Sequence, residues 1–212
     1  MIGFFLTSFV MFFVVVDPVA LIPVFVALTE GDSADRRRAM ASRAVLLASA
    51  ILVLFLYGGS SVLRVLGISM PAFQIAGGVL LFLLAIDMVF ARQSGLRSTT
   101  DGEHREGMAR DDVSVFPLAF PLIAGPGAIT TILLLAVKVQ GSTVYSLGLL
   151  GVVLGVMAIT LALLTAAVRV MAVFGQTGAN VVSRILGLIL AALATQYVID
   201  GILGILSRSP NI

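Results

Sequence analysis

Apolar residues occupy this chain in long blocks rather than in stripes. Six blocks stand out, at roughly 2–29, 40–63, 69–90, 115–137, 144–171 and 181–206. Each is at least as long as the about 20 residues an α-helix needs to cross a bilayer's hydrocarbon core. None alternates apolar with polar positions as a half-buried strand would. The pattern predicts six helices, apolar on most faces and joined by short polar turns. The longest polar interval, "RQSGLRSTTDGEHREGMARDD" from Arg92 to Asp112, mixes both charges with Gly, Ser and Thr. It reads as a solvated linker between two groups of three helices.

Composition identifies the solvent. The chain is 59% hydrophobic and 11% charged, whereas soluble domains are about half apolar and a quarter charged. With a mean hydropathy of +1.14, it is expected to be an all-α, multi-pass membrane protein. Its 212 residues then form one transmembrane domain, with a first repeat over 1–90, a linker over 91–113 and a second repeat over 114–212. There is no cysteine, which excludes disulfides and thiolate metal sites. The opening "MIGFFLTSF" has no basic n-region, so the first block is expected to be a retained helix and not a signal peptide.

The basic residues set an orientation. Arg36, Arg37, Arg38, Arg43, Arg92, Arg97, Arg105, Arg110, Arg169 and Arg184 follow the first, third and fifth blocks, against Arg64, Lys138 and Arg208 on the other side. Basic loops stay cytoplasmic. Both termini are therefore expected outside the inner (cytoplasmic) membrane.

The two halves echo one another. "PVALIP" (Pro18 to Pro23) and "PLIAGP" (Pro121 to Pro126) share a Pro-x4-Pro spacing within the first helix of each half. "FQIAGGVLLFLLAIDM" (Phe73 to Met88) resembles "SRILGLILAALATQYV" (Ser183 to Val198), with Gly77 opposite Gly187. Three helices per copy is an odd number, so the second copy enters the membrane from the opposite side. The result is a 3+3 inverted-topology repeat of the kind that places transporter sites at broken helices near the midplane.

Proline inside a helix costs about 3 kcal/mol through its missing N–H and the ring's clash with the preceding turn. Two in one span predict broken first and fourth helices, which a bilayer tolerates where the freed backbone is buried in protein or lines a wet cavity. In "AGPGAITT" (Ala124 to Thr131) glycines flank Pro126, and an unwound turn there would offer bare amides at the positive end of a half-helix. Asp17 lies about 22 Å of helix rise past Ile2, near mid-membrane. A carboxylate there costs about 2.5–3.5 kcal/mol to insert and reads as functional. The same residue before Pro18 also reads as an N-cap, and the two roles are compatible. The candidate substrate site is Asp17, Pro18, Pro23, Gly125, Pro126, Gly127, Thr130 and Thr131, with Asp17 also the candidate ion-coupling group.

Other polar residues carry less. Asp87 and Asp200 lie near the ends of their spans, where a carboxylate is cheap. Gln74 and Gln196 are suited to hydrogen bonds between helices, and Gly148, Gly151 and Gly155 to close packing. His104, the single histidine, falls in the linker.

"VDPVALIPVF", "FPLAFPLIAGPGAITTIL" and "SRILGLILAALATQYVIDGI" together resemble the MarC family of bacterial and archaeal integral membrane proteins, over nearly the whole chain. Ala20 stands where the family more often has Gly. The resemblance implies a place near small amino-acid exporters of the LysE type, and transport of small neutral amino acids. No G-x-x-x-x-G-K-[ST] motif is present, so the expected energy source is an ion gradient, of protons or sodium, or the solute's own gradient. The expected partners are a small neutral amino acid, H+ or Na+, and the lipid bilayer, with an oligomer allowed and no nucleic acid, metal or cofactor. Two other classes stand beside this one: an intramembrane aspartyl hydrolase on Asp17 and Asp87, whose dyad would need adjacent carboxylates, and an assembly protein.

Overall fold

A computed structural model describes residues 2–91, 112–139 and 141–207. They form an all-helical polytopic membrane protein with five spans long and apolar enough to cross a bilayer, or six when one bent pair counts as a span. The elements are α1 (Ile2–Val16), α2 (Pro18–Leu28), α3 (Ala34–Val65), α4 (Met70–Phe90), the irregular segment α5 (Ser114–Ile123), α6 (Pro126–Lys138), α7 (Thr143–Thr165) and α8 (Ala167–Leu206). Most of the predicted linker, 92–111, lies outside the described residues, as does His104.

Local chemistry sets the ends of these helices. Serine side chains at 33, 69 and 142 accept the backbone N–H of Arg36, Ala72 and Tyr145, satisfying amides that have no partner within the helix. Gly67 ends α3 at φ +67, with Ile68 N–H donating to Leu63 O at 2.9 Å and Gly67 N–H to Arg64 O at 3.1 Å, the paired bonds of a Schellman stop.

Three boundaries differ from those expected. α3 begins at Ala34 rather than near 40, because the Ser33 cap starts the helix in polar sequence. Arg36, Arg37, Arg38 and Arg43 therefore ride on helix, not on a loop. α7 ends at Thr165 rather than near 171, and α8 begins at Ala167 rather than near 181, so Arg169 and Arg184 are helical too. The polar stretch predicted as a loop before the sixth span is instead absorbed by one residue, Gly175 (φ +60, ψ 179), a conformation open to glycine.

α6 lies at the centre, packed against α1, α3 and α4, with eight of its 13 residues buried. α4 lies along α8. Their contact is close and glycine-mediated: a Cβ built on Gly78 would stand 2.8 Å from Ala194 O, one on Gly187 3.1 Å from Ala85 O, and one on Gly201 2.8 Å from Pro71 O. Positions 71, 78 and 85 thus meet 201, 194 and 187, which makes the pair antiparallel. Small residues allow this backbone approach, the usual basis of tight helix pairing in lipid.

Candidate functional site

The first break is a single residue. Pro18 offers no N–H and disfavours right-handed helix at the residue before it. Asp17 turns left-handed instead, at φ 43 and ψ 66, between α1 and α2. Its own N–H still closes α1 onto Phe13 O at 2.8 Å, while its Oδ1 accepts Ala20 N–H at 3.3 Å as the N-cap of α2. Asp and Asn are the non-glycine residues that adopt this conformation most readily. The side chain is 0% exposed, and among the described residues it is the one charged group so enclosed.

Pro23 does not break the chain as expected. α2 runs through it, and Ile2–Leu28 forms one span of 27 residues. Pro23 removes the N–H that the Val19 carbonyl would otherwise take, so the first span holds one interruption, at Asp17-Pro18.

The second break is longer. In α5, Phe116 (φ −132, ψ 128) and Phe120 (φ −135, ψ 129) are extended, each followed by a cis proline, Pro117 and Pro121. Backbone bonds here reach back five residues, from Leu118 N–H to Val113 O at 3.2 Å and from Ala124 N–H to Ala119 O at 2.9 Å. The chain then bends by 54° into α6. Gly125 caps α6 with no side-chain bond to its first amides, and Pro126 fills the opening turn, where its missing N–H is harmless.

Gly125 is required for space and not for conformational freedom. Its φ of −76 suits any residue, but a Cβ would run into Pro121 O, well inside contact distance. Gly127 sits at the junction of three helices. A Cβ there would meet Leu84 Cδ2 of α4 at 2.8 Å and Val15 Cγ1 of α1 at 3.4 Å. Val15 is two residues before Asp17, so the last turn of α1 faces the first turn of α6 in the protein interior.

Thr131 is fully buried and donates its hydroxyl to Gly127 O at 2.8 Å, a bond back onto its own helix. Thr130 turns its methyl toward α4, with Cγ2 2.6 Å from a Cβ built on Gly77. Outside this centre, Gln196 Nε2 donates to Asp200 Oδ1 at 2.7 Å, and Gln74 packs against Gly201. The Tyr197 hydroxyl donates to Met11 Sδ at 3.1 Å, tying α8 to α1 with Lys138 Nζ 5.0 Å from the ring centroid; hydropathy had given no sign of this contact. Among the described residues no group of three or more His, Cys, Asp or Glu could hold a metal ion.

Two cavities lie beside α2. One of about 190 Å³ is apolar, between Val19 and Ile22 of α2 and Met171, Phe174 and Gly175 of α8. The other, of about 380 Å³, opens where α2 ends, between Phe25, Arg37, Arg38 and Arg169. Neither is lined by Asp17 or the Gly125 to Thr131 segment.

Comparison with known proteins covers nearly the whole chain. Residues 2–206 match the family described as "MarC family integral membrane protein". The chain is 34% identical to the UPF0056 membrane protein YvbG of Bacillus subtilis, over 96% of each protein. It is 34% identical to a UPF0056 membrane protein of Archaeoglobus fulgidus, over 94% of this chain and 92% of that one. For the UPF0056 membrane protein YhcE of Escherichia coli the identity is 35%, over 93% of this chain and 91% of the other. No solved structure matches.

Proposed function

The chain belongs to the MarC family of integral membrane proteins, and from that premise we propose that it is a secondary transporter of small neutral amino acids, driven by a proton or sodium gradient. The observation that carries the reading is the packing of one interrupted helix on another beside a buried acid: Asp17 ends α1, and Val15, two residues earlier, lies 3.4 Å from where a Cβ on Gly127 would stand at the uncapped start of α6.

The two half-helix starts differ in a way that suits a zwitterion. α2 begins with a carboxylate, whereas α6 begins with bare amides at the positive end of its dipole. A substrate carboxylate is held by the amides of Gly127 and Ala128, with Thr131 beside them, as at the discontinuous helices of other transporters. Asp17 holds the substrate ammonium or the coupling cation.

An inverted repeat supports the same reading. Shifting by the 110 positions between Gly77 and Gly187 turns the Gly78–Ala194 approach into Leu188–Leu84. That lies one residue from the Gly187–Ala85 approach on the antiparallel α4–α8 pair. A rotation exchanging the copies is compatible with this antiparallel interface.

Flux measured in liposomes over an amino-acid panel, under imposed proton or sodium gradients, tests the proposal. Accumulation of at least one small neutral amino acid, collapsing with the gradient, is expected. Folded protein that moves none of them under either gradient refutes it.

A further inference from the structure

At the end of α2, three arginines surround one cavity. Arg37 and Arg38 from the first turns of α3 and Arg169 from the first turn of α8 line a space of about 380 Å³, with Phe25, Leu164 and Val168 as apolar wall. The volume is that of a small-molecule site. Like charges gathered this way repel one another, and the neighbouring arginines are matched: Arg36 Nε lies 3.3 Å from Asp32 Oδ1, and Arg43 Nη1 lies 2.8 Å from Asp112 Oδ2. Among the described residues no carboxylate forms such a pair with Arg37, Arg38 or Arg169.

The backbone adds to the same field. α8 starts beside the cavity, with Ala166 in its wall and no side-chain bond to the first amides of the helix. The helix start adds a partial positive charge beside the guanidiniums, partly offset by the end of α7, whose Leu164 and Thr165 share the wall. Three planar forks and a helix start around an open cavity match an anion with several oxygens, and arginine's fork suits phosphate better than a point charge does. The cavity sits where spans end, which is the level of lipid headgroups.

We propose that this cavity is a phosphate-binding site, separate from the centre at Asp17, filled by the headgroup of an acidic phospholipid or by a soluble phosphate. The test is native mass spectrometry of the full chain, purified in detergent and offered phosphatidylglycerol, phosphatidylcholine or inorganic phosphate. Wild type should retain phosphatidylglycerol over phosphatidylcholine. R37Q/R169Q should weaken that retention about 25-fold, at about fivefold per arginine removed. R43Q, which removes an arginine already held by Asp112, should bind as wild type does. Displacement of phosphatidylglycerol by excess inorganic phosphate, or phosphate adducts alone, identifies a soluble phosphate as the occupant; resistance to displacement identifies the lipid. If the double variant does not fold, R169Q alone should show the fivefold loss. Equal retention by wild type and the arginine variants overturns the proposal, as does an equal loss in R43Q or a wild type that binds neither phosphatidylglycerol nor phosphate above phosphatidylcholine.

Discussion

Replacing Asp17 in three ways separates its backbone role from its charge. Asp17→Asn keeps an oxygen for Ala20 N–H and is tolerated at φ 43, so the fold should lose no more than about 0.5 kcal/mol. Asp17→Gly forfeits a few tenths of a kcal/mol of capping but relieves the left-handed strain, and comes out near neutral. Asp17→Ala loses the cap, about 1 kcal/mol, and has no side-chain oxygen to ease the left-handed turn, up to about 1 kcal/mol more. The alanine variant should therefore melt below the other two, by about 2–4 °C for each kcal/mol. Transport follows a different order. If the carboxylate couples the gradient, all three variants lose uphill accumulation in liposomes, including the well-folded Asp17→Asn. Thermal melting in detergent beside gradient-driven uptake reads both quantities. Normal accumulation by Asp17→Asn would reduce Asp17 to a cap, and equal melting of the Ala and Asn variants would refute the cap.

Gly125→Ala pushes a methyl into Pro121 O, a backbone atom that cannot swing aside, and should destabilise by about 1–3 kcal/mol. Gly151→Ala, with nothing within 4 Å, should be neutral or stabilising, and equal melting of the two would sink the argument from space. Gly127→Leu should fill the junction with Leu84 and Val15 and abolish flux while the protein still inserts; full flux would remove that junction from the site. Reporter fusions at either terminus should score outside and one within 92–111 inside, whereas an inside score for the C-terminus would break the inverted-repeat reading. Asp112 is held below its usual 3.8, first by the Ser114 hydroxyl and amide and then by Arg43. Its contribution to stability is thus present above about pH 4 and lost as pH falls through the depressed value; the acid side of the melting profile should flatten in Asp112→Asn, and an unchanged profile would discount the Asp112 contacts.

The apolar blocks revealed the spans because hydropathy reports what lipid requires. They misplaced the starts of α3 and α8 because those turns extend past the lipid, where Ser33 capping and helical continuity decide. The prolines were visible but not their outcomes. Pro18 follows a residue able to turn left-handed and cap, so the helix parts there. Pro23 lies within α2, which runs on through it. Gly125 looked like a conformational requirement, yet its backbone angles are ordinary and the Pro121 carbonyl is what excludes a side chain. No linear pattern carries that contact. Arg37, Arg38 and Arg169 read as markers of orientation in the sequence, and only the packing of α7 on α3, which carries the start of α8 with it, brings them to one cavity.

The burial of the centre constrains how it is reached. Asp17 and Thr131 are both fully enclosed, so on the transport reading a solute arrives only when something moves. α2 indicates the route. Val19 and Ile22 line the apolar cavity and Phe25 the arginine cavity, and residues three apart share a helix face. That face leads from the arginine side back to Asp17, about 12 Å away along the axis. Ile22 and Phe25 close it, being 2% and 1% exposed. Across the apolar cavity stands Gly175, the residue at which α8 changes direction. A rotation there would carry Met171 and Phe174 away from α2 without disturbing the glycine contacts that join the rest of α8 to α4. Gly175, at φ +60, therefore divides the part of α8 that packs on α4 from the start of α8 on the side of the molecule where the arginines gather.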